Sequence, residues 1–419
     1  MLKFRGKDLG KSKFEIEQGV NQIEFTEGVT LKQIFSPLPD SVPPDDKRTP
    51  YGEIVYLRSS LDFTVKNHQA GNRKDEVLEE NLLDVRRILK NTTATAGAAP
   101  PSGAGQQTAP AKKNLINLQG VESFYKKKDL FDKTLLFESR FESGNLAAAL
   151  KVNDADYHLL LQNDVNTSGH TQWFFFRVQN TRRYSHVRFN ILNLSKPDSL
   201  FNEGMKVLVY SEKQSEEKDI GWHRSCHKIS YYHNGIKKDS QKKSGGNKTL
   251  YSLTFTYEFL YDEDTVYFAY CYPYGYSDLL DDLSRISTDP IKSSFCSRRT
   301  LCMSLAGNKV EMLTVTSKHN LENLGKRKGV FITSRVHPGE SVGSWMMKGA
   351  IDFLTDENNE EAEILRQHYV FKIVPMLNPD GVINGNYRCS LAGCDLNRRW
   401  KAPSKVLHPC IYYTKQLLQ

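Results

Sequence analysis

The stretch GVFITSRVHPGESVGSWMMKGAIDFL, residues 329–354, decides the fold of this chain. It starts with an apolar, β-branched run that predicts a strand, and a Pro-Gly turn follows. Residues 341–354 then carry their apolar side chains on a single helical face, which predicts a helix. Further strands are predicted at 311–317 and 368–377, and their near-continuous apolar runs predict burial on both faces. Strand, helix and strand together predict an α/β sheet that is covered by helices.

Residues 133–275, ahead of this region, have a different pattern. Short runs such as QWFFFRVQNT and SHVRFNILNL are rich in aromatic and β-branched residues, and turn formers separate them. This pattern predicts an antiparallel β-domain, with a sandwich as the simplest arrangement. A basic, Gly/Ser-rich insert at 234–248 is predicted to be a loop. A predicted helix at 276–287 leads into the second domain, 283–419.

The first part of the chain offers weaker signals. Residues 1–90 are interpreted as a peripheral N-terminal extension, because a Pro-rich stretch at 36–46 interrupts regular structure. A short helix is predicted at 83–90. Residues 91–114 are rich in Ala, Pro, Gly and Thr and have no large apolar side chain, so a flexible linker is predicted there.

The amino-acid composition limits the classes of protein to which this chain can belong. The chain has 419 residues, of which 39% are hydrophobic and 25% charged, as in an ordinary globular protein of two or three domains. Its net charge of +8 suits an acidic substrate or partner but is too diffuse to indicate nucleic acid. No run approaches the ~18 apolar residues of a membrane span. The first twenty residues lack the apolar block of a secretory signal, and the seven cysteines are odd in number, so reduced thiols in the cytoplasm are predicted.

His337 and Glu340 are the first candidate site residues. They lie three positions apart across the Pro-Gly turn, between a predicted strand and a predicted helix. An imidazole and a carboxylate make a normal partial ligand set for catalytic zinc, which takes three protein ligands and leaves one position for water. The alternative is a solvated turn, and the spacing alone leaves both possibilities open.

A second group of candidates lies in residues 377–400, LNPDGVINGNYRCSLAGCDLNRRW. The NPDG sequence predicts a β-turn after a strand, and the following Gly/Asn-rich segment is typical of a binding loop. An amide and a guanidinium at Asn397 and Arg398 could bind a carboxylate in a bidentate manner. From 381 to 419 there are six Lys/Arg and one acid, a local charge of +5. The alternative for each arginine is an ordinary surface cation.

The ordered strings HPGES, NPDG and DLNR resemble the zinc metallocarboxypeptidases. The longer string VPMLNPDGVINGNYRCSLAGCDLNRRW resembles the cytosolic carboxypeptidases, the tubulin-deglutamylating branch of that family. The β-domain, with QWFFFRVQNT and CYPYGYSDL, resembles the domain that this branch carries before its catalytic unit. The resemblance covers residues 133–419. It implies a carboxypeptidase-like α/β mixed sheet with flanking helices, preceded by an antiparallel β-sandwich.

The resemblance also implies roles for the candidate residues. His337 and Glu340 would be two of three ligands of one Zn²⁺ ion, and Asn397 and Arg398 would bind the C-terminal carboxylate of the substrate. Arg388 would polarise the scissile carbonyl and stabilise the oxyanion. The implied reaction removes C-terminal residues, glutamate in particular, from acidic protein tails such as those of polyglutamylated tubulin. The implied location is the cytoplasm, with microtubules or cilia as a further option, and neither nucleic acid nor a membrane is an expected partner.

The family places its third zinc ligand, a histidine, and its general-base glutamate well beyond the DLNR motif. The resemblance therefore predicts that both lie beyond Gln419, that the catalytic domain is incomplete, and that the chain alone does not release glutamate. His408 is a weaker candidate for the third ligand, and a thiolate site of Cys389, Cys394 and Cys410 is weaker still.

Three interpretations follow from this. The chain could be part of a longer zinc carboxypeptidase, or it could be a catalytically inactive binding module for acidic C-terminal tails. A zinc hydrolase acting on acylated amino acids would also fit the Asn-Arg pair, but it fits the β-domain poorly.

Overall fold

The computed structural model describes residues 2–4, 16–18, 53–58, 125–167, 169–238, 248–319 and 321–419. The predicted helix at 83–90, the predicted linker at 91–114 and most of the predicted loop at 234–248 lie outside the described residues. The first two strands, β1 (Leu2–Phe4) and β2 (Ile16–Gln18), pair with each other in an antiparallel manner.

Two sheets build the first large domain. The six-stranded sheet consists, in spatial order, of β11 (His227–Lys238), β12 (Lys248–Glu258), β8 (His186–Leu194), β6 (Asp156–Leu161), β5 (Leu146–Asn153) and β3 (Glu53–Leu57). The five-stranded sheet consists of β10 (His223–Ser225), β9 (Val207–Ser211), β13 (Val266–Ala269), β7 (Phe175–Gln179) and β4 (Leu136–Glu138). A short helix, α1 (Glu212–Lys218), follows β9. The strand pairs are antiparallel except β6 with β8, which is parallel.

The sandwich forms because its strands alternate apolar side chains between two faces. In β7, Phe176 and Val178 enter the core between the sheets, whereas Phe175 lies on the opposite face of its sheet. From the other sheet, Phe189 packs against Phe176 and Phe268, with ring centroids 6.3 and 5.1 Å apart. Each such ring contributes about 1.5–3 kcal/mol through burial. The predicted antiparallel sandwich is confirmed, with one parallel pair as its exception.

Strand β3 comes from the segment that the sequence analysis assigned to the N-terminal extension. It pairs with β5 at the edge of the six-stranded sheet, and Val55 and Tyr56 are buried in the core. Directly after it, the Arg58 guanidinium donates hydrogen bonds to the carbonyls of Ser139 and Gly144. A five-residue strand next to a Pro-rich stretch gives too short a pattern to be recognised from the sequence.

The second domain is a four-stranded mixed sheet flanked by helices. Its strands, in spatial order, are β14 (Cys296–Met303), β15 (Lys309–Val315), β17 (Tyr369–Val374) and β16 (Lys328–Thr333), and only the β16–β17 pair is parallel. Its helices are α2 (Tyr276–Thr288), α3 (Lys292–Phe295), α4 (Ser341–Leu354), α5 (Glu360–His368), α6 (Pro379–Ile383) and α7 (Pro409–Leu418). Helices α2 and α4 cover one sheet face and α7 covers the other. The predicted α/β mixed sheet with flanking helices is therefore confirmed.

Two details of this domain differ from the sequence expectations. Strand β16 is only half-buried, not buried on both faces, because it lies at the edge of the sheet among the described strands. Strand β14 and helix α5 were not predicted, since the charged residues of CSRRTLCM and EEAEILRQH hide their periodicity.

The two domains pack through an apolar face and a helix cap. The outer face of the five-stranded sheet carries a cluster of Trp173, Phe175, Leu208, Tyr210, Trp222, Tyr267 and Ala269. Trp345 of α4 and Tyr387 pack against this cluster. The sandwich residue Glu142 also accepts hydrogen bonds from the backbone N–H and hydroxyl of Ser277, at the first turn of α2. A carboxylate stabilises a helix N-terminus, so this contact fixes α2 on the sandwich.

Candidate metal and substrate site

A buried arginine stabilises the turn between β16 and α4 through hydrogen bonds. Arg335 is 4% exposed and has a positive φ of 54°. Its guanidinium donates to the carbonyls of Pro338 (2.8 Å) and Tyr274 (3.0 Å) and to the hydroxyl of Ser344 (2.7 Å). Burial lowers the pKa of Arg335 to about 10, so it remains charged at neutral pH. These bonds hold the turn against α4 and against the segment that leaves the sandwich.

His337 and Glu340 are brought together by this turn. The Nδ1 atom of His337 lies 3.1 Å from the Oε1 atom of Glu340. His337 is 7% exposed, whereas Glu340 faces solvent. Two ligands at 2.0–2.1 Å from one tetrahedral zinc ion are about 3.3 Å apart. The separation and the donor types therefore fit a shared metal ion, with both groups at a solvent-accessible edge.

Asp395 connects His337 to Arg388. One carboxylate oxygen lies 3.0 Å from the Nε2 atom of His337, and the other accepts from Nε and Nη2 of Arg388 at 2.9 and 2.8 Å. Burial raises the pKa of Asp395, but the hydrogen bond from His337, the backbone N–H of Asn397 and the charges of His337 and Arg388 outweigh it and lower this pKa. A carboxylate on the far ring nitrogen fixes the tautomer and orientation of a metal-binding histidine.

Asn397 and Arg398 lie one turn further on, in a 3₁₀ turn that Asp395 begins. The backbone N–H of Asn397 donates to Asp395 at 2.8 Å, and the Asn397 side-chain oxygen accepts from the Trp400 indole at 3.0 Å. Both side chains are exposed, and the Arg398 guanidinium donates a long bond of 3.4 Å to the Asn397 carbonyl. Asp395 thus begins the 3₁₀ turn of the Asn-Arg pair and also contacts the side chains of His337 and Arg388.

Comparisons with known proteins identify the family of the chain. Residues 137–271 match the cytosolic carboxypeptidase N-terminal domain, and residues 289–410 match the zinc carboxypeptidase family. Human cytosolic carboxypeptidase 2 is 48% identical over 351 residues, and that of Xenopus tropicalis is 52% identical over 286 residues. The chain belongs to the cytosolic carboxypeptidases. These matches cover 83% and 68% of the chain but only 37% and 29% of the relatives, so it spans about a third of their length.

Solved structures give the same fold. A putative carboxypeptidase A from Shewanella denitrificans superposes with a TM-score of 0.53 at 25% identity, covering 67% of this chain and 65% of that one. A metallo-carboxypeptidase from Burkholderia cenocepacia has a TM-score of 0.53 at 23% identity, covering 68% and 67% of the two chains, and supports the fold alone. Within the described ranges, no helix combines the length and the apolar character needed to cross a bilayer.

The NPDG motif of this cytosolic carboxypeptidase chain begins a helix, so the predicted β-turn is wrong. The side chain of Asn378 accepts from the N–H of Gly381 at 3.0 Å and caps α6, and Pro379 occupies its first position. Asp380 is buried and accepts from the hydroxyl of Ser304 (2.5 Å) in the β14–β15 turn. A Cβ atom on Gly381 would lie 2.4 Å from the ring of Pro338. The motif therefore packs directly against the turn that carries His337.

The weaker candidates for a third ligand do not gather at this site. Across the described residues, no three His, Cys, Asp or Glu side chains form a cluster that could hold a metal. His408 accepts from the backbone N–H of Ser404 at 3.0 Å, and burial lowers its pKa. Cys389 is buried, and burial raises the pKa of its thiol to about 12. Cys410 contacts Cys302 of β14 instead.

Sequence reasoning missed Asp395 as a site residue. A signal was present, because Asp395 is the one acidic residue between 381 and 419 and stands within DLNR itself. In the structure Asp395 contacts His337 and Arg388, and His337 contacts Glu340. The roles of these residues in chemistry, and those of Asn397 and Arg398, stay predictions.

Proposed function

We propose that this protein is a zinc-dependent carboxypeptidase that removes C-terminal glutamate residues from acidic protein tails, such as those of polyglutamylated tubulin. The setting would be the cytoplasm, at or near microtubules or cilia. The observation that carries the proposal is the 3.1 Å pair of His337 and Glu340, adjoining the ion pair of Arg388 and Asp395.

The first pair supports metal binding. When bound, zinc supplies a Lewis acid that makes a water acidic enough to attack a carbonyl near neutral pH. His337 would offer Nδ1 to the ion while Asp395 holds a proton on Nε2, and Glu340 would offer a carboxylate oxygen. Because Glu340 is exposed, solvent and substrate can approach the metal side of the pair.

The arginines support binding of a chain end. Arg398 would bind the terminal carboxylate with help from the amide of Asn397, and this would align the last peptide bond. Arg388 would donate to the carbonyl oxygen as negative charge develops on it, an interaction that strengthens in the transition state. Its bonds to Asp395 keep the guanidinium oriented without substrate.

The local charge supports an acidic substrate. Residues 381–419 carry six Lys/Arg and one acid, and that acid, Asp395, is already paired with Arg388 and His337. A glutamate-rich tail would be attracted to this surface, most strongly at low ionic strength.

The test uses a peptide that ends in three glutamates, with a free or an amidated C-terminus, and the full chain with and without zinc. We expect the free peptide to bind more tightly than the amidated one. Arg398→Ala should weaken binding of the free peptide by about 10- to 100-fold, the loss of a charged hydrogen-bond pair. Arg399→Ala, a change at the neighbouring exposed arginine, is the matched control and should change binding by less than about twofold.

Glutamate release separates the two candidate functions. Zinc-dependent release that His337→Ala abolishes would establish a carboxypeptidase. Tight, Arg398-dependent binding without release would agree with the expectation that the chain alone does not release glutamate, and it would favour the binding module for acidic tails as the function of this chain. Equal binding of the free and amidated peptides would refute both.

A further inference from the structure

We propose that Asp164, a residue of the sandwich domain, is a positioning residue for the loop that carries Arg388. The sandwich would then be a working part of the active site and not only a neighbouring domain. The inference rests on the proposed function for the role of Arg388, but the contact itself stands on geometry alone.

The Asp164 carboxylate accepts three consecutive backbone N–H groups of the other domain. These come from Tyr387 at 2.5 Å, Arg388 at 2.7 Å and Cys389 at 2.7 Å. Asp164 is 2% exposed, so water does not compete for these donors. Both carboxylate oxygens are used, and bonds from neutral donors to a charged acceptor are stronger than those between neutral groups.

Asp164 is itself held in a fixed position. Its backbone N–H donates to the carbonyl of His170 at 2.9 Å, and its carbonyl accepts from the backbone N–H and the hydroxyl of Thr167 at 3.0 and 2.8 Å. The carboxylate is therefore presented by a hydrogen-bonded turn of the sandwich. Its three bonds can transmit that rigidity to the loop.

Two glycines let the loop approach the sandwich backbone closely. Gly385 (φ +72°) and Gly393 (φ +66°) adopt left-handed conformations that favour glycine. A Cβ atom on Gly385 would lie 2.8 Å from the carbonyl of Gly144, and one on Gly393 would lie 2.3 Å from that of Asn166. The Asn166 side chain also donates to the carbonyl of Leu391 at 2.6 Å. The loop thus rests on the sandwich on both sides of Arg388.

Arg388 is consequently fixed at both ends. Asp164 holds its backbone N–H, and Asp395 holds its guanidinium, which in turn adjoins His337. Loss of the Asp164 contact would let the backbone of Arg388 shift while the metal ligands keep their own turn. A shift of about 1 Å in a group that stabilises a transition state can cost about 100-fold in rate.

The first measurement is hydrogen exchange on the full chain, which needs neither zinc nor substrate. In Asp164→Asn, the amide takes the place of an acceptor oxygen and faces backbone donors. We expect the amides of residues 387–389 to exchange at least about tenfold faster, while those of β17 keep their wild-type rates. The control is Asp264→Asn. Asp264 is equally buried at 3% exposure, but it accepts from Ser211 and Lys213 inside the sandwich.

The second measurement is the kinetics of glutamate release from the free triglutamate peptide. Asp164→Asn should lower kcat about 10- to 100-fold with KM within about twofold, because oxyanion stabilisation acts in the transition state. Unchanged exchange at 387–389, or the same loss in Asp264→Asn, would overturn the inference. If the wild-type chain releases no glutamate, binding of the free and amidated peptides decides the proposed function, and the exchange experiment decides the positioning role.

Discussion

Asp395→Asn is the perturbation that tests the coupling between the metal pair and Arg388. The asparagine oxygen can still accept one hydrogen bond, but the new NH₂ group meets donors at Arg388 or His337. Hydrogen bonds to a charged group are about twice as strong as those between neutral groups. Each bond to Asp395 that loses this charge therefore weakens by about 1 kcal/mol. Removing a carboxylate behind a metal-binding histidine costs about 10- to 100-fold in metal affinity, or about 1.4–2.8 kcal/mol.

The assay is competition for zinc against a fluorescent chelator at pH 7, with the wild-type chain as reference. Asp282→Asn is the matched control, because the Asp282 side chain is 14% exposed, close to the 16% of Asp395. Asp282 also pairs with an arginine, Arg285, and it accepts from the Tyr274 hydroxyl, whereas Asp395 bonds His337 directly. We expect zinc affinity within about twofold of wild type in this control.

Two results would refute the reasoning. Unchanged zinc affinity in Asp395→Asn would mean that the carboxylate does not orient His337. An equal loss in Asp282→Asn would mean that the effect is general destabilisation of the domain. Far-UV circular dichroism of each variant separates unfolding from a local change.

Two further predictions concern stability. Gly381→Ala should lower the free energy of unfolding by about 1–3 kcal/mol in urea titrations, because the Cβ atom would lie 2.4 Å from the ring of Pro338. Gly349→Ala, in α4 with open space around it, should instead raise it by up to about 1 kcal/mol, and equal effects would contradict this account. Burial raises the pKa of Asp132, but hydrogen bonds from two backbone N–H groups and a tyrosine hydroxyl outweigh the effect of burial. The pKa of Asp132 is therefore lowered. The contribution of ionised Asp132 to the free energy of unfolding is therefore present above the ordinary pKa near 4 and is lost as the pH falls further. Asp132→Asn should flatten the acid side of a plot of unfolding free energy against pH.

Local periodicity accounts for the parts of the fold that the sequence predicted well. The helix at 341–354 has one apolar face and begins after a Pro-Gly turn, and the structure gives it the same bounds. The aromatic runs of the sandwich alternate because each strand faces one core. His337 and Glu340 are three residues apart, so a single turn decides their proximity.

Contacts between distant segments account for what the sequence did not reveal. Asp395 lies 58 positions from His337, and Asp164 lies 224 positions from Arg388. Neither spacing leaves a local pattern, and an aspartate after a strand is common in ordinary turns. Strand β3 was not predicted for the same reason, since its five residues become a sheet edge only by pairing with β5.

The interface between the domains suggests why the predicted site residues depend on the sandwich. The covered sheet face includes Trp173, Phe175 and Trp222, which are at most 6% exposed and would be costly to expose to water. Tyr387 packs against this face, and its carbonyl accepts from the N–H of Gly339, between the two metal-binding candidates. The residue after Tyr387 is Arg388. The segment of Tyr387 and Arg388 therefore contacts the sandwich, the turn that carries His337 and Glu340, and Asp395. A change in the sandwich can thus alter the proposed catalytic residues without contacting the substrate.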